Sequence, residues 1–271
     1  MIDERLVEVL ADLQPPALSR AVDHAALAGG KRVRPTVTLL TCEFVGGDPA
    51  DAVDFGVGIE LVHTASLVVD DIIDRSSVRR GVESTWARFG YAPAIVASDG
   101  LLGEAFALFS GEPRAMGMVA ESLVELGEGE AIELVDPPTN ETEYRELARR
   151  KTGSLFRAAA GLGAVAAGAN AVTVEAVGEY AERVGIAFQI RDDVLDATAE
   201  PDVLGKPTGH DAAMDRPSFV QVTDLSIDEA NERAHAEADA AIDALGRIDE
   251  VEPDARAYLH DLAAFVVERE R

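Results

Sequence analysis

The sequence predicts an all-α protein, a large bundle of long helices joined by short loops. Three observations carry this. Apolar residues recur at helical spacing almost everywhere, and strand-like alternation is nearly absent. Glycine and proline clusters break the pattern every 15 to 30 residues or so, the length of bundle helices. Hydrophobic residues make up 47% of the chain but aromatics only 5%, so Ala, Val and Leu fill the core, a composition that favours helix over sheet.

Taken in order, the breaks fall at Pro15-Pro16, Gly29-Gly30, Gly46 to Pro49, Gly90, Gly111 to Pro113, Asp136 to Pro138, Gly168 to Asn170, Pro201 and Gly205 to Gly209. The segments between them form the helices. No repeat, linker or shift in composition marks a boundary, so residues 1–271 read as one domain, long enough to bury a sizeable core. The opening MIDERLVEVLADLQPP lacks a signal-peptide pattern. The small-apolar stretch from Ala158 to Val172 is shorter than the roughly 20 residues of a membrane span. A single cysteine, Cys42, excludes an intrachain disulfide. These features predict a cytoplasmic protein with no integral membrane segment. Asp224 to Leu245 reads as a very acidic, solvated surface helix.

The net charge of -26 argues against nucleic-acid partners and anionic membranes. With this much apolar content, the charge reads as adaptation to high salt, where self-repulsion is screened. Of 24 basic residues only three are lysines, Lys31, Lys151 and Lys206. Each sits inside a motif.

Two clusters share the spacing D-D-x-x-D: Asp70-Asp71 with Asp74, and Asp192-Asp193 with Asp196. On a helix, residues four apart lie on one face, so each cluster presents two carboxylates side by side. Magnesium reverses their repulsion, because it takes hard oxygen ligands and commonly binds one or two carboxylates plus substrate phosphates. An acidic chain produces such patterns by chance. With 24 Asp in 271 positions, independent placement gives roughly 0.2 of them, and acidic residues do cluster on exposed faces. The apolar setting of the first cluster, LVHTASLVVDDII, favours a metal over a solvated face.

Cations surround these clusters in the sequence. Lys31, Arg32 and Arg34 follow the Gly29-Gly30 pair. Arg79-Arg80-Gly81 follows the first cluster, Lys151-Thr152-Gly153 opens a helical stretch, and Lys206 follows the second cluster. Each is weak alone. Together they suffice for two phosphate-bearing groups. A lone helical His is more often structural, but His63 lies two turns before Asp70 on the same face, which favours a phosphate-side role. No Ser-His-Asp or Cys-His arrangement supplies a nucleophile.

In these motifs the chain resembles the trans-polyprenyl diphosphate synthases, which include farnesyl and geranylgeranyl diphosphate synthases. The likeness runs through GGKRVRP, HTASLVVDDIID, RRG, GEGEAIELV, KTGSLF, FQIRDDVLD and GKPTGHD, in the family's order, and resumes in YLHDLAAFVVERER. It implies an all-α bundle of long antiparallel helices around a central cavity, with the two aspartate clusters facing across its mouth, in a homodimer or a heteromer. It implies a magnesium-dependent prenyltransferase that joins isopentenyl diphosphate to an allylic diphosphate, 1′-4 and head to tail. By the same resemblance, Asp70, Asp74 and Asp192 ligate magnesium, three ions with substrate bound, and Asp71, Asp193 and Asp196 support them. Arg79, Lys151, Thr152, Gln189 and Lys206 hold the allylic diphosphate. Lys31, Arg34, His63 and Arg80 hold isopentenyl diphosphate.

In this family, a bulky side chain four or five residues before the first Asp stops chain growth. Those positions are Ser66 and Ala65, both small, which implies a product of C20 or longer. The sequence departs from the family at Val69, Glu83, Trp86 and Arg216. It also passes from Phe219 almost directly to Ala234, where relatives carry about one more long helix. That shortening implies a thinned wall, or packing supplied by a partner. The competing reading is a non-catalytic subunit of a heteromeric synthase, against which both intact aspartate clusters stand. Squalene and phytoene synthases also carry two clusters but lack the GGKRVRP motif.

Overall fold

In a computed structural model, which describes residues 1–198, 216–248 and 251–269, the chain is helical nearly throughout. The helices are α1 (Ile2–Leu10), α2 (Pro16–Ala26), α3 (Val33–Phe44), α4 (Val53–Ile73), α5 (Thr85–Phe89), α6 (Tyr91–Phe109), α7 (Pro113–Val135), α8 (Glu141–Ala148), α9 (Ser154–Ala166) and α10 (Ala171–Thr198). They continue with α11 (Phe219–Val222), α12 (Ile227–Leu245) and α13 (Pro253–Glu268). The predicted breaks coincide with the helix ends wherever they fall on described residues. Those at Pro201 and Gly205 to Gly209 lie outside them.

Local chemistry sets the starts. Pro16 and Pro113 occupy first turns, where a missing N–H costs nothing. The Asn140 side chain accepts from the Glu143 N–H at 3.0 Å, and Ser226 forms a reciprocal capping box with Glu229.

α4 runs through the centre, burying Val57, Ile59, Leu61, Val62, Ala65 and Val68. With its lead-in turn it is apolar and long enough to cross a bilayer by length and composition, as is α6. Most of that stretch of α4 is buried inside the bundle, where a core helix puts its apolar surface. Small residues let α9 lie against α3: a Cβ on Gly163 would collide with the Thr38 carbonyl. Thr38 and Thr41 donate across the same crossing to the carbonyls of Ala159 (2.9 Å) and Ala160 (3.0 Å).

Three features depart from the sequence reading. A two-stranded hairpin, β1 (Val78–Arg79) and β2 (Val82–Glu83), interrupts the helices. Its two-residue loop is Arg80-Gly81, with φ of 54° and 79°. Positive φ at both positions is the hairpin turn that matches strand twist. The acidic segment after Asp224 is not simply a solvated helix. On α12, Ala230, Ala234, Ala238 and Ala241 are buried, and they form the face laid on α10. Third, despite the shortening after Phe219, α10 is covered along most of its length, with an open groove only at its start, between Val172, Glu175 and Ile248 among the described residues. The short α11 leads into α12, which covers α10, and the Tyr180 hydroxyl of α10 donates to the Leu259 carbonyl of α13 at 2.7 Å.

Candidate active site

The bundle encloses a cavity of about 370 Å³. Asp70 and Asp74, one turn apart at the end of α4, line it. Asp192 and Asp193 line it from α10. Arg34, His63, Arg79, Lys151, Thr152 and Gln189 complete the predicted residues there, and Glu133, Tyr144, Phe188 and Arg216 join them. Asp71, Asp196, Lys31 and Arg80 do not line it. Lys31 is exposed. Lys206 lies outside the described residues.

The two adjacent aspartates of each pair do different work. Asp71 is buried and faces away from the cavity, accepting Nε (2.9 Å) and Nη2 (2.6 Å) of Arg79. It holds the hairpin that carries Arg79 and Arg80. Asp193 is buried as well. Its Oδ2 accepts from the Tyr144 hydroxyl and from the Phe219 N–H (2.5 Å), and its Oδ1 accepts from Gln189 Nε2 (3.1 Å). It ties α10 to α8 and α11. Asp192, by contrast, is 58% exposed and pairs with Arg269 at 2.9 Å. Arg269 stacks over the Phe188 ring at 3.9 Å, and its carbonyl accepts from Arg191.

No hydrogen bond or ion pair among the described residues reaches the Asp70 carboxylate. Burial, with Glu130 and Asp74 nearby, pushes its pKa up to about 7, although Lys151 and Arg216 act against the rise. Such an acid stays partly protonated at neutral pH until a cation compensates it.

The cations gather in two groups. Arg34 and His63 sit deep, with Arg32, Arg79 and Arg80 around them. Burial and then the facing arginines hold the His63 pKa well below its ordinary value, so the ring is neutral. Burial also lowers Arg34, to about 10, with Glu60 opposing and Arg80 assisting. Arg34 lies over the Phe156 ring at 4.7 Å. Its buried Nε has no hydrogen-bond partner among the described residues, an orphaned donor beside a cavity. Arg80 donates to the Gly29 carbonyl, and position 30 favours glycine because its φ of 144° is one that residues with a Cβ rarely adopt.

The second group faces the aspartates. A π-turn at Arg149–Gly153 sets Lys151 at the cavity wall. Such single wide turns often occur at functional sites. Lys151 pairs with Glu130 (2.9 Å) and Glu133 (2.5 Å) of α7. Arg216 reaches Glu133 and Asp74. Thr152 donates to Gln189 Oε1 at 2.9 Å. The sequence reading assigned no role to Glu130 or Glu133. The signal available was their spacing of three inside GEGEAIELV, hidden by 50 acidic residues.

Among the described residues no group of three or more His, Cys, Asp and Glu side chains is drawn together as a metal site, but the donors at the cavity are the hard oxygens a divalent cation takes. Asp70, Asp74 and Asp192 bring oxygen ligands into one cavity from two helices, and cations able to take phosphate oxygens line the same walls.

Comparison with known proteins gives consistent matches. Residues 15–251 match the polyprenyl synthetase family. The short chain isoprenyl diphosphate synthase of Methanothermobacter thermautotrophicus is 36% identical, over all of this chain and 96% of that protein. That alignment runs over 313 positions, against 271 residues in this chain, so the relative carries segments without a counterpart here. The geranylfarnesyl diphosphate synthase of Aeropyrum pernix is 33% identical, over 99% of each chain. Among solved structures, geranylgeranyl pyrophosphate synthetase from Pyrococcus horikoshii superposes with a TM-score of 0.89 at 36% identity, covering 99% of this chain and 95% of that one.

Proposed function

The chain belongs to the polyprenyl synthetase family, and from that premise we propose that it condenses isopentenyl diphosphate with an allylic diphosphate, 1′-4 and head to tail, giving a trans-prenyl diphosphate of C20 or longer. It is a prenyltransferase. One observation carries the assignment: Asp70 and Asp74 from α4 and Asp192 from α10 share a cavity with Arg34, His63, Arg79 and Lys151.

Asp70, Asp74 and Asp192 are the residues that would hold magnesium, three ions with both substrates in place. When bound, magnesium supplies positive charge against the diphosphate leaving group. Lys151, Arg79, Thr152 and Gln189 hold the allylic diphosphate, with Lys206 expected beside them. Arg34 and His63, which line the cavity, hold isopentenyl diphosphate, with Arg80 and Lys31, outside that lining, expected to reach it from the edge. The orphaned Arg34 Nε and the neutral His63 are ready to donate to it. These cations stabilise charge as the allylic C–O bond breaks and its electron pair leaves with diphosphate. The double bond of isopentenyl diphosphate then attacks the allylic carbon, and the proton lost in forming the new double bond passes to the departing diphosphate. The apolar wall of Leu67, Leu126, Leu155 and Phe188 excludes water that would quench the cation. The chain acts as a cytoplasmic homodimer or heteromer. Exposed Ile95 and Val96 on α6 and Val124 on α7 support an apolar contact of that kind.

The test is incubation of labelled isopentenyl diphosphate with dimethylallyl, geranyl and farnesyl diphosphates, with and without magnesium. The expected result is labelled product of C20 or longer, only with magnesium. No labelled allylic product with any primer would overturn the assignment.

A further inference from the structure

Two carboxylates on α7 remain without a task in the reaction as proposed. Glu130 and Glu133 are three residues apart, on one face of the helix. Their side chains are only 15% and 8% exposed. Carboxylates this far from water need counter-charges. Theirs come from two distant parts of the chain, Lys151 in the π-turn and Arg216 after the second aspartate cluster.

The fit is built in. Gly129 lies against the π-turn: a Cβ there would come within 2.9 Å of the Lys151 backbone nitrogen and 3.1 Å of Arg150 Cβ. The missing side chain lets that turn settle on α7, which places the Lys151 ammonium above both glutamates. Burial works against the ammonium, but Glu133 and Glu130 outweigh it and hold the Lys151 pKa above its ordinary value. Glu133 Oε2 takes both Lys151 and Arg216. Glu130 lies 2.9 Å from Lys151 and 3.5 Å from Arg216, as ion pairs off the line of a hydrogen bond.

We propose that Glu133, with Glu130 beside it, is a positioning residue that holds Lys151 and Arg216 together at the cavity wall as a paired cradle for diphosphate. The inference rests on the reading of the site given above. Lys and Arg side chains are long and lose much rotamer freedom when fixed. A shared carboxylate fixes two of them before any substrate arrives. Arg216 also bonds Asp74. Were a cation to take Asp74, Glu133 would be the partner left to keep Arg216 at the wall.

The test has a sign. On charge alone, Glu133→Gln removes a negative group beside an anion site and tightens diphosphate binding. If Glu133 positions the two cations, the same change weakens it. The measurement is calorimetric titration of inorganic pyrophosphate, with magnesium, into wild type, Glu133→Gln, Lys151→Met and the double variant. Glu133→Gln is expected to weaken binding by about tenfold, the size of one charge-assisted contact, measured well below a melting temperature that also falls, because Lys151 and Arg216 lose a buried partner. Lys151→Met should cost much less in the Glu133→Gln background than in wild type, since both changes remove one unit. Glu133→Asp, with the charge on a shorter arm, should show a smaller loss of the same sign, and serves where Glu133→Gln folds poorly. Equal or tighter binding by the Glu133 variants, or additive effects of the two substitutions, overturns the proposal while leaving the site reading intact. Failure of wild type to bind magnesium pyrophosphate overturns both.

Discussion

Asp192 and Asp193 are neighbours in one motif, yet the structure predicts opposite consequences for their loss. Replacing Asp193 with Ala strands the Tyr144 hydroxyl and the Phe219 N–H, both on buried residues. Gln189 borders the cavity and can turn to water. Each stranded buried donor costs about 1–3 kcal/mol, so the two cost roughly 2–6 kcal/mol, a large share of the ~5–15 kcal/mol that holds a domain together. At about 2–4 °C per kcal/mol for a chain near this size, the melting temperature should fall by roughly 4–24 °C. Asp192→Ala breaks one pair on a largely exposed carboxylate, worth about 1 kcal/mol or less. Arg269 keeps its stacking on Phe188 and its bond to the Phe188 carbonyl at 3.3 Å. The assay is thermal unfolding of both variants without metal, with turnover measured well below each midpoint. Asp193→Ala should be unstable and retain substantial turnover. Asp192→Ala should be stable and lose turnover by orders of magnitude. A stable Asp193→Ala with turnover as low as that of Asp192→Ala would refute the reasoning, and place that carboxylate on the substrate rather than on Tyr144 and Phe219.

Asp70→Ala and Asp74→Ala should each abolish most turnover while leaving the metal-free fold intact, checked by steady-state kinetics and circular dichroism; near-normal turnover would remove that residue from the metal site. Ser66 lines the cavity and Ala65 is buried outside it, under the Ser98 hydroxyl that donates to the Ala65 carbonyl at 3.1 Å. Ser66→Phe should therefore shorten the product, whereas Ala65→Phe should chiefly lower the melting temperature by overpacking, about 1–3 kcal/mol; product chromatography and calorimetry separate the two. Burial, then Asp51, Asp48 and Glu43, push the Cys42 thiol up to about 11, so a disulfide reagent at pH 8 should react only at the rate of unfolding, and immediate labelling would contradict its burial. Rising potassium chloride should raise the melting temperature, because screening weakens repulsion within a net charge of -26; a protein most stable in dilute buffer would refute salt adaptation.

Spacing alone made half of the site legible. Asp70 and Asp74 share a face because a helix repeats at 3.6 residues, and His63 follows two turns below by the same rule. What spacing cannot reveal is which side of the helix turns inward relative to its neighbours. The spacing paired Asp192 with Asp196 and the resemblance gave Asp71 and Asp193 only a supporting role, but neither could say that Asp193 and not Asp196 lines the cavity, or that Asp71 and Asp193 are seated on Arg79 and Tyr144. The Arg80-Gly81 hairpin turn was written in the RRG motif, but two-residue strands are too short to alternate. Glu130 and Glu133 were lost among abundant carboxylates. Their significance depends on Arg216, which is distant in sequence, and on a wide turn at Lys151 that no periodicity encodes. For α12, acidic content concealed an alanine at every fourth position from Ala230 to Ala238, a narrow stripe that suffices to bury a helix against α10.

The seat of Arg269 has a practical consequence. Its guanidinium neutralises Asp192, and its carbonyl is gripped by Arg191 one position before. A substitution at Arg269 therefore changes both the charge facing Asp192 and the seat of Arg191, so it acts on the second aspartate cluster from the end of a helix that carries none of its residues.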